Sequence, residues 1–335
     1  MPTLQKILKV VLPLILGGGI LYWMYRNTDF NSMKHLFLEE MNWWWMLLSF
    51  PFGILAQMFR GWRWKQTLEP IGENPRTSTA INSIFLSYAA SLVIPRIGEF
   101  TRCGVLKKHD GISFTKSLGT VVTERAVDTL IMGIMTAIIL LSQMPVFASF
   151  FMKTGTKIDT IFTMFTTTGW IVTAICGVAA IVGLWVFRKH LVFYDKVKTS
   201  VDGILEGVMS LKKVRNVPLF IFYSLGIWVS YFLHYYLTFF CFDFTSELGI
   251  DAALVTFIVG TVAVIVPTPN GAGPWHFAVK TMLVLYGVAE ANALGFVLVV
   301  HTVQTMLVVA LGLYALVHLS LTEKTPPKPS PQVRA

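Results

Sequence analysis

Charged side chains that could bind a phosphate are concentrated at one point of an otherwise apolar sequence. Arg96, Glu99 and Arg102 recur at intervals of three residues, so they would share one face of a helix. Two guanidinium groups around one carboxylate leave a net positive charge, and arginine binds phosphate through paired hydrogen bonds. Pro95 ends a helix and Gly98 permits a tight bend at the same place. We therefore favour phosphate binding over the alternative, an interfacial loop with ordinary surface charges.

A second group of charges, Glu124, Arg125 and Asp128, lies near the start of a predicted membrane span. Ionisable groups inside a span are costly, so they face a partner or a cavity. The spacing leaves two interpretations open. One is a buried structural network with Arg96 or Arg102, and the other is a site for a substrate or a proton.

A third segment interrupts an apolar region with helix-breaking residues beside potential ligands: Pro267, Pro269, Asn270, Gly271, Gly273, Pro274 and His276. Proline favours the first position of a helix, so a new helix is predicted to begin at Pro274. Its free N–H groups would point at the middle of the bilayer and form an anion site. His276 lies in the first turn, and Lys280 follows one turn later on the same face. The alternative is a structural kink in which His276 is hydrogen-bonded locally.

Two weaker polar patterns lie outside these segments. Residues 60–65, Arg-Gly-Trp-Arg-Trp-Lys, could bind lipid headgroups, but we prefer to interpret them as a basic anchor with interfacial tryptophans. Ser83, Ser87 and Ser91 recur every four residues, which indicates either a polar groove or close helix packing.

The composition places these residues in a membrane protein. Of the 335 residues, 54% are hydrophobic and 13% are charged, and the charged share is about half that of a soluble chain. The mean hydropathy is +0.64. These values argue against a cytoplasmic enzyme, a secreted disulfide scaffold and a DNA-binding domain. Cys103, Cys176 and Cys241 have no CxxC spacing and predict neither a metal site nor a disulfide framework.

Hydropathy predicts an all-α polytopic membrane protein. A bilayer core needs roughly 20 apolar residues per helix. Six segments meet this requirement as full transmembrane helices: 7–25, 43–59, 118–141, 169–187, 217–242 and 291–316. Two further apolar regions, about 79–102 and 252–286, are interrupted by proline. We predict that these two regions are re-entrant elements, which enter and leave the membrane on the same side.

The distribution of charge predicts the orientation of the spans. The basic segments hold 21 Lys or Arg against 8 Asp or Glu, and they are residues 1–9, 60–76, 96–116, 188–216 and 317–335. The remaining loops hold 4 and 8. By the positive-inside rule the basic segments are cytoplasmic, and so are both termini. One re-entrant element then enters from each face, which suggests two halves of inverted topology.

The same pattern predicts the organisation of the chain. We expect a single membrane domain over residues 1–318, with a basic cytoplasmic connector at 188–216. The proline-rich segment 319–335 is predicted to be a disordered cytoplasmic tail.

Four motifs together resemble the lysylphosphatidylglycerol synthase transmembrane-region family, a flippase-like domain found also in the multiple peptide resistance factor. They are residues 60–64, Pro95-x-x-Gly98-Glu99-x-x-Arg102, Glu124-Arg125-x-x-Asp128 and Pro267-Thr-Pro-Asn-Gly271-Ala-Gly273, and the resemblance covers roughly residues 7–318. The resemblance implies a helical membrane domain that moves lipids between leaflets. Asn270 stands where the family usually has glycine. Pro274, Trp275 and His276 stand where a small or acidic continuation is common, so the identity of the lipid is left open.

We therefore expect an integral cell-membrane protein that translocates a phospholipid, a glycolipid or a polyprenyl-type lipid with an anionic or zwitterionic headgroup. The expected headgroup contacts are Arg96, Glu99, Arg102, Glu124, Arg125, Asp128, Asn270, Gly271, Gly273, His276 and Lys280. Pro95, Gly98, Pro267, Pro269 and Pro274 are expected to break the helices.

The expected partners are membrane lipids, a second copy of the chain or a lipid-synthesis enzyme, and not nucleic acid. No cofactor is expected, and the sequence has no Walker motif that would make ATP the direct energy source. The alternatives are a membrane enzyme acting on a lipid phosphate, a transporter of ions or small solutes, and a non-catalytic scaffold. Aminoacyl transfer is not expected, because only a short proline-rich segment follows the last predicted span.

Overall fold

A computed structural model describes residues 18–26, 35–144 and 214–322, and every regular element in these ranges is a helix. The predicted all-helical class is confirmed. The predicted span at 169–187 lies outside the described residues, as do most of the predicted connector (188–216) and of the predicted tail (319–335).

Nine helices of eight residues or more are described. They are α1 (residues 18–25), α2 (Trp43–Leu68), α3 (Thr77–Val93), α4 (Ile97–Asp110), α5 (Phe114–Ser142), α6 (Val217–Tyr236), α7 (Gly249–Ala263), α8 (Pro274–Leu285) and α9 (Glu290–Leu321). Shorter helical turns cover Leu36–Glu40, Glu69–Ile71, Leu237–Cys241, Asp243–Ser246 and Pro269–Gly271.

Three of the described helical segments are long and apolar enough to cross a membrane: Phe114–Ser142, Val217–Cys241 and Glu290–Leu321. They fall on three of the six predicted spans. Helix α2 has 26 residues, but the charges of Arg60, Arg63 and Lys65 lower its apolar character. The structure therefore supports a multi-pass membrane protein, and a total of six spans stays a prediction.

Local sequence fixes the ends of the long helices. The Asn42 carboxamide accepts a hydrogen bond from the Trp44 N–H at the start of α2, and Asn216 does the same for Leu219 at the start of α6. Such side chains satisfy backbone donors that a helix leaves free at its N-terminus. Helix α4 ends at Asp110 and is followed by Gly111, whose positive φ of 69° is easily adopted by glycine.

Helices α3 and α4 form a tight hairpin around the break at residues 94–96. Gly98 lies so close to α3 that a Cβ atom there would overlap the Ser87 carbonyl oxygen. Its N–H donates to Ser91 Oγ at 3.2 Å, while the Ser83 and Ser87 hydroxyls bond to their own helix. Of the two interpretations of the serine stripe, the structure therefore supports close helix packing.

Helices α7 and α8 form a second hairpin with a longer break. The chain leaves α7 at Ala263, makes a 3-10 turn and starts α8 at Pro274. Asn270, Gly271 and Gly273 have positive φ angles of 51°, 70° and 91°. Proline can only occupy the first turn of the new helix, since it lacks the N–H that later positions need.

The described helices thus form two units with the same order of elements. The first unit (residues 43–142) is α2, the hairpin α3–α4 and α5, and the second unit (residues 217–321) is α6, the hairpin α7–α8 and α9. Each unit has a long helix, a hairpin with a broken tip, and a final helix of 29 or 32 residues.

The first helices of the two units pack against each other in opposite directions. The ring of Trp45 lies 4.9 Å from that of Phe240, near the start of α2 and just beyond the end of α6. At the other end of the pair, Phe59 lies 5.7 Å from Phe222. Because residue numbers rise along one helix as they fall along the other, α2 and α6 are antiparallel.

The other contacts between the units are exchanged. Helix α3 packs against α9, and α7 packs against α5, so each hairpin rests on the final helix of the other unit. The first of these contacts is close, since a Cβ atom on Gly312 would overlap the Ala89 side chain.

Candidate functional site

A buried network of arginines and carboxylates lies inside the first unit. Asp128 of α5 is held by two arginines of α2, with Arg60 Nη1 at 2.6 Å from Oδ2 and Arg63 Nη2 at 2.7 Å from Oδ1. Glu124, one turn earlier, accepts from Arg102 Nη1 of α4 at 2.6 Å. Arg63 Nη2 also lies 3.5 Å from Glu124, and it thereby joins the two carboxylates.

The spacing of the residues explains how three helices form this guanidinium network, which we define as Arg60, Arg63, Arg102, Glu124 and Asp128. Arg60 and Arg63 are three residues apart on α2, and Glu124 and Asp128 are four apart on α5, so each pair shares a helix face. Arg102 completes the network from α4. These spacings let one helix face supply two cations and the facing helix two anions.

The guanidinium network is almost closed to solvent and carries a positive excess. The side chains of Arg63 and Glu124 have no exposed surface, and Asp128 is the most accessible member at 9%. Three guanidinium groups meet two carboxylates, which leaves one positive charge. Within the described residues, Nε and Nη2 of Arg102 have no hydrogen-bond partner. Buried donors without a partner are costly, so these two N–H groups favour a hydrogen-bond acceptor beside Arg102.

Arg102 is held in place by an aromatic ring. Its guanidinium carbon lies 4.5 Å from the ring centroid of Trp64, and the Trp64 indole N–H donates to Thr120 Oγ1 at 2.8 Å. A cation over a tryptophan face is stabilised by the ring electrons. The ring therefore supports the charge while leaving two of the guanidinium nitrogens available.

A more accessible ion pair lies at the edge of the guanidinium network. Arg125 Nε lies 2.7 Å from Glu99 Oε1, and the two side chains are 46% and 30% exposed. Arg125 Nη1 also lies 3.8 Å from Asp128 Oδ2, so this outer pair touches the buried group. An exposed pair is weak enough to be exchanged for a competing anion.

The broken tips of the two hairpins meet each other. Arg96 adopts a left-handed conformation with φ of 63°, and its Nη2 donates to the backbone carbonyl of Ile265 at 3.3 Å. Ile265 lies in the break of the second hairpin. Irregular backbone at membrane depth is tolerated where it contacts protein or lines a cavity, and this contact provides one such partner.

The second unit places neutral polar groups around its own break. Asn270 Nδ2 donates to Thr305 Oγ1 at 2.8 Å, and His301 Nε2 lies 3.1 Å from the Asn270 backbone oxygen. His276 Nδ1 accepts from the Gly273 N–H at 3.4 Å, and its ring lies 4.4 Å from that of His301. These residues form an imidazole cluster, which we define as Asn270, His276, His301 and Thr305.

A cavity of about 530 Å³ opens beside the imidazole cluster, between α1, the second break and α9. Its wall includes both imidazole rings, together with apolar and polar side chains of α1. The main lining residues are Leu21, Tyr25, Arg26, His276, Leu298 and His301.

The comparison with known families agrees with this helical and charged architecture. The sequence model of the lysylphosphatidylglycerol synthase TM region matches residues 10–312. The chain belongs to this family. The predicted family is therefore confirmed, and the chain is a membrane protein related to lipids. Neither the curated proteins nor the solved structures include a match.

The charged motifs of this family member are divided differently from the sequence-based prediction. Arg96, Glu99 and Arg102 do not form one cluster, because α4 begins at Ile97 and leaves Arg96 in the preceding turn. Arg96 instead contacts the second hairpin. Glu99 pairs with Arg125, and Arg102 joins the buried network, so the structural-network interpretation applies to Arg102 and not to Arg96.

The basic-anchor interpretation of residues 60–65 is wrong for its two arginines. Arg60 and Arg63 are buried, and Trp64 is completely buried. The reason is that both guanidinium groups face the carboxylates of α5 instead of the headgroup region. They are the main members of the guanidinium network that the sequence did not assign.

Two further predictions concern the second break. Lys280 is not part of the imidazole cluster, because its Nζ forms an ion pair with Glu290 Oε1 at 2.7 Å. His276 forms the local hydrogen bond that the alternative interpretation required, and it also lines the cavity. His301 and Thr305 were not predicted, although a histidine inside a long apolar helix is a signal that could have identified the first of them.

Proposed function

We propose that the protein moves lipids with phosphate-containing headgroups between the leaflets of the cell membrane. The observation that carries the proposal is the guanidinium network, which combines burial, an excess of positive charge and unpartnered N–H groups on Arg102. A phosphate offers several acceptor oxygens and a negative charge, and arginine binds both features at once.

The outer ion pair suggests how a headgroup would reach this network. A phosphate approaching Arg125 would displace Glu99, because both compete for the same guanidinium group. The free N–H groups of Arg102 would then replace the water that the headgroup loses. The acyl chains would stay in the surrounding lipid, and no covalent bond changes, so we propose that the protein is not an enzyme.

The arrangement of the two units supports transport instead of simple binding. Helices α2 and α6 are equivalent and antiparallel, so a two-fold axis that relates them is perpendicular to both. If both helices span the bilayer, this axis lies in the membrane plane, as in transporters built from inverted repeats. We propose this inverted topology, with both termini on the cytoplasmic side as the positive-inside rule predicts.

The test is a measurement of lipid movement by the reconstituted full chain. Proteoliposomes would contain fluorescent phosphatidylglycerol, phosphatidylcholine or a neutral glycolipid, and a membrane-impermeant quencher would report the lipid in the outer leaflet. We expect faster movement of the two phosphate-containing lipids than of the glycolipid. Arg102→Gln should slow this movement by about tenfold or more, because it removes a charge-assisted hydrogen bond.

Lys107→Gln is the matched control, since Lys107 lies on the same helix and is exposed. This control should leave lipid movement unchanged. Equal rates for the wild-type protein and the folded Arg102→Gln variant would contradict the proposal. Equal rates in protein-free liposomes would contradict it as well.

A further inference from the structure

The cavity beside the second break presents one hydrogen-bond donor from His276. The Gly273 N–H points at His276 Nδ1, which must therefore be the unprotonated nitrogen of a neutral ring. The proton is then on Nε2, and the side chain is 3% exposed. Within the described residues Nε2 has no hydrogen-bond partner, and the ring lines the cavity. A buried N–H in this situation is available to a ligand.

His301 presents the complementary acceptor. Its Nε2 faces the Asn270 backbone oxygen at 3.1 Å, and a carbonyl oxygen can only accept, so Nε2 carries the proton. Nδ1 is then a free lone pair. The Asn270 carboxamide does not alter this assignment, because its Nδ2 donates to Thr305 at 2.8 Å and lies farther from the imidazole, at 3.5 Å.

A hydroxyl group matches this pair of imidazoles, and a phosphate does not. A hydroxyl both donates and accepts, so it can satisfy His276 Nε2–H and the His301 lone pair together. A phosphodiester only accepts and would leave the His301 lone pair facing a negative oxygen. Leu21 and Leu298 form an apolar part of the wall, and a volume of about 530 Å³ is within the range of cavities that bind small ligands.

We infer that this cavity is a binding site for the hydroxyl-bearing polar end of a neutral lipid or glycolipid, separate from the guanidinium network. Arg26, an exposed residue at the same cavity, is the one charged residue among the described residues that line it. The inference that the ligand is a lipid rests on the proposed function. The hydrogen-bonding preference of the site rests on the two imidazoles alone.

The test uses photolabelling of the full chain in phosphatidylcholine nanodiscs. The probe is a diacylglycerol with a diazirine on the first methylene groups of one acyl chain. Two matched probes carry the same diazirine, one with the hydroxyl acetylated and one with a methyl phosphodiester, which cannot donate, in its place. Labelled residues would be located by peptide mass spectrometry. We expect the free hydroxyl probe to label residues 21–26 and 298–302 about three- to tenfold more than either matched probe, which is the range of one or two hydrogen bonds.

Three variants separate the site from the fold. His276→Asn keeps an acceptor for the Gly273 N–H but withdraws the donor from the cavity, and it should reduce the hydroxyl preference. Leu298→Trp reduces the volume of the cavity while keeping both histidines in the sequence, and it should abolish labelling. His318→Asn is the control, because His318 lies on the same helix but contacts Asn82 and Thr322. Thermal unfolding would verify that each variant is folded.

Equal labelling by the free and acetylated probes would overturn the inference, as would stronger labelling by the phosphate probe. Labelling that persists in a folded Leu298→Trp variant would overturn it too. The two proposals fail separately. Hydroxyl-dependent labelling without any lipid movement would refute transport and keep the site, whereas movement without labelling would refute the site and keep transport.

Discussion

The two units share one arrangement of helices but place different chemistry on it. In the first unit, Glu124 and Asp128 lie ten and fourteen residues after the first residue of α5. In the second, His301 and Thr305 lie eleven and fifteen residues after the first residue of α9. The first pair binds guanidinium groups. The second pair binds Asn270, and His301 also lines a cavity. The scaffold therefore fixes where polar groups lie, and the sequence of each unit decides whether they are charged.

This difference predicts that the loss of one polar partner lowers the stability of the protein more in the first unit than in the second. Glu124→Ala leaves the buried guanidinium group of Arg102 without its carboxylate partner, and should cost about 3–5 kcal/mol of stability. Thermal and denaturant unfolding in detergent would measure it. The double variant Glu124→Ala with Arg102→Met should recover part of the loss. No recovery would show that the charge is not the cause.

Helix α4 offers a second comparison, between a crowded glycine and an uncrowded one. Gly98→Ala forces a methyl group against the Ser87 carbonyl, which cannot move without the helix, and should cost about 1–3 kcal/mol. Gly104→Ala on the same helix meets no atom within 4 Å and should be neutral or stabilising by up to about 1 kcal/mol. Similar unfolding temperatures for the two variants would contradict the close packing of α3 and α4.

The imidazole cluster should respond more weakly than the guanidinium network. Thr305→Val removes the acceptor of a neutral hydrogen bond from Asn270 and should cost about 0.5–1.5 kcal/mol. Unfolding in detergent would compare it with Thr281→Val, whose hydroxyl, among the residues that the structure describes, bonds only to its own helix at Phe277. A loss of stability for Thr305→Val as large as that for Glu124→Ala would contradict the expected difference between the two units.

The smallest effect is expected at Lys280, the charged residue of the second unit that pairs outside the cluster. Its partner Glu290 is 67% exposed, so Lys280→Gln should change stability by no more than about 1 kcal/mol. Lipid movement in proteoliposomes should be unchanged. A strong loss of movement with normal folding would place Lys280 on the transport path.

The sequence predicted the helical membrane class and the family because these depend on local composition and on the order of motifs. It did not predict the depth of charged residues. Arg60 and Arg63 follow the apolar segment 43–59 in the sequence, and a cytoplasmic anchor would give the same local pattern. Only the packing of α2 against α5 distinguishes the two situations, and that contact joins residues more than sixty positions apart.

The imidazole cluster was predicted in part for a similar reason. Proline and glycine mark the second break in the sequence, and His276 lies beside them. His301 and Thr305 belong to the middle of an apolar helix, 31 and 35 residues from Asn270. Their contact depends on how α9 passes the break, which no local pattern records.

The exchanged packing of the hairpins has a consequence for how the molecule can change shape. Because α3 rests on α9 and α7 rests on α5, neither unit can rotate as an isolated rigid body without carrying a hairpin of its neighbour. The bond from Arg96 to the Ile265 carbonyl joins the same two hairpins at their tips. We therefore expect a displacement that starts at one hairpin to act directly on the other hairpin.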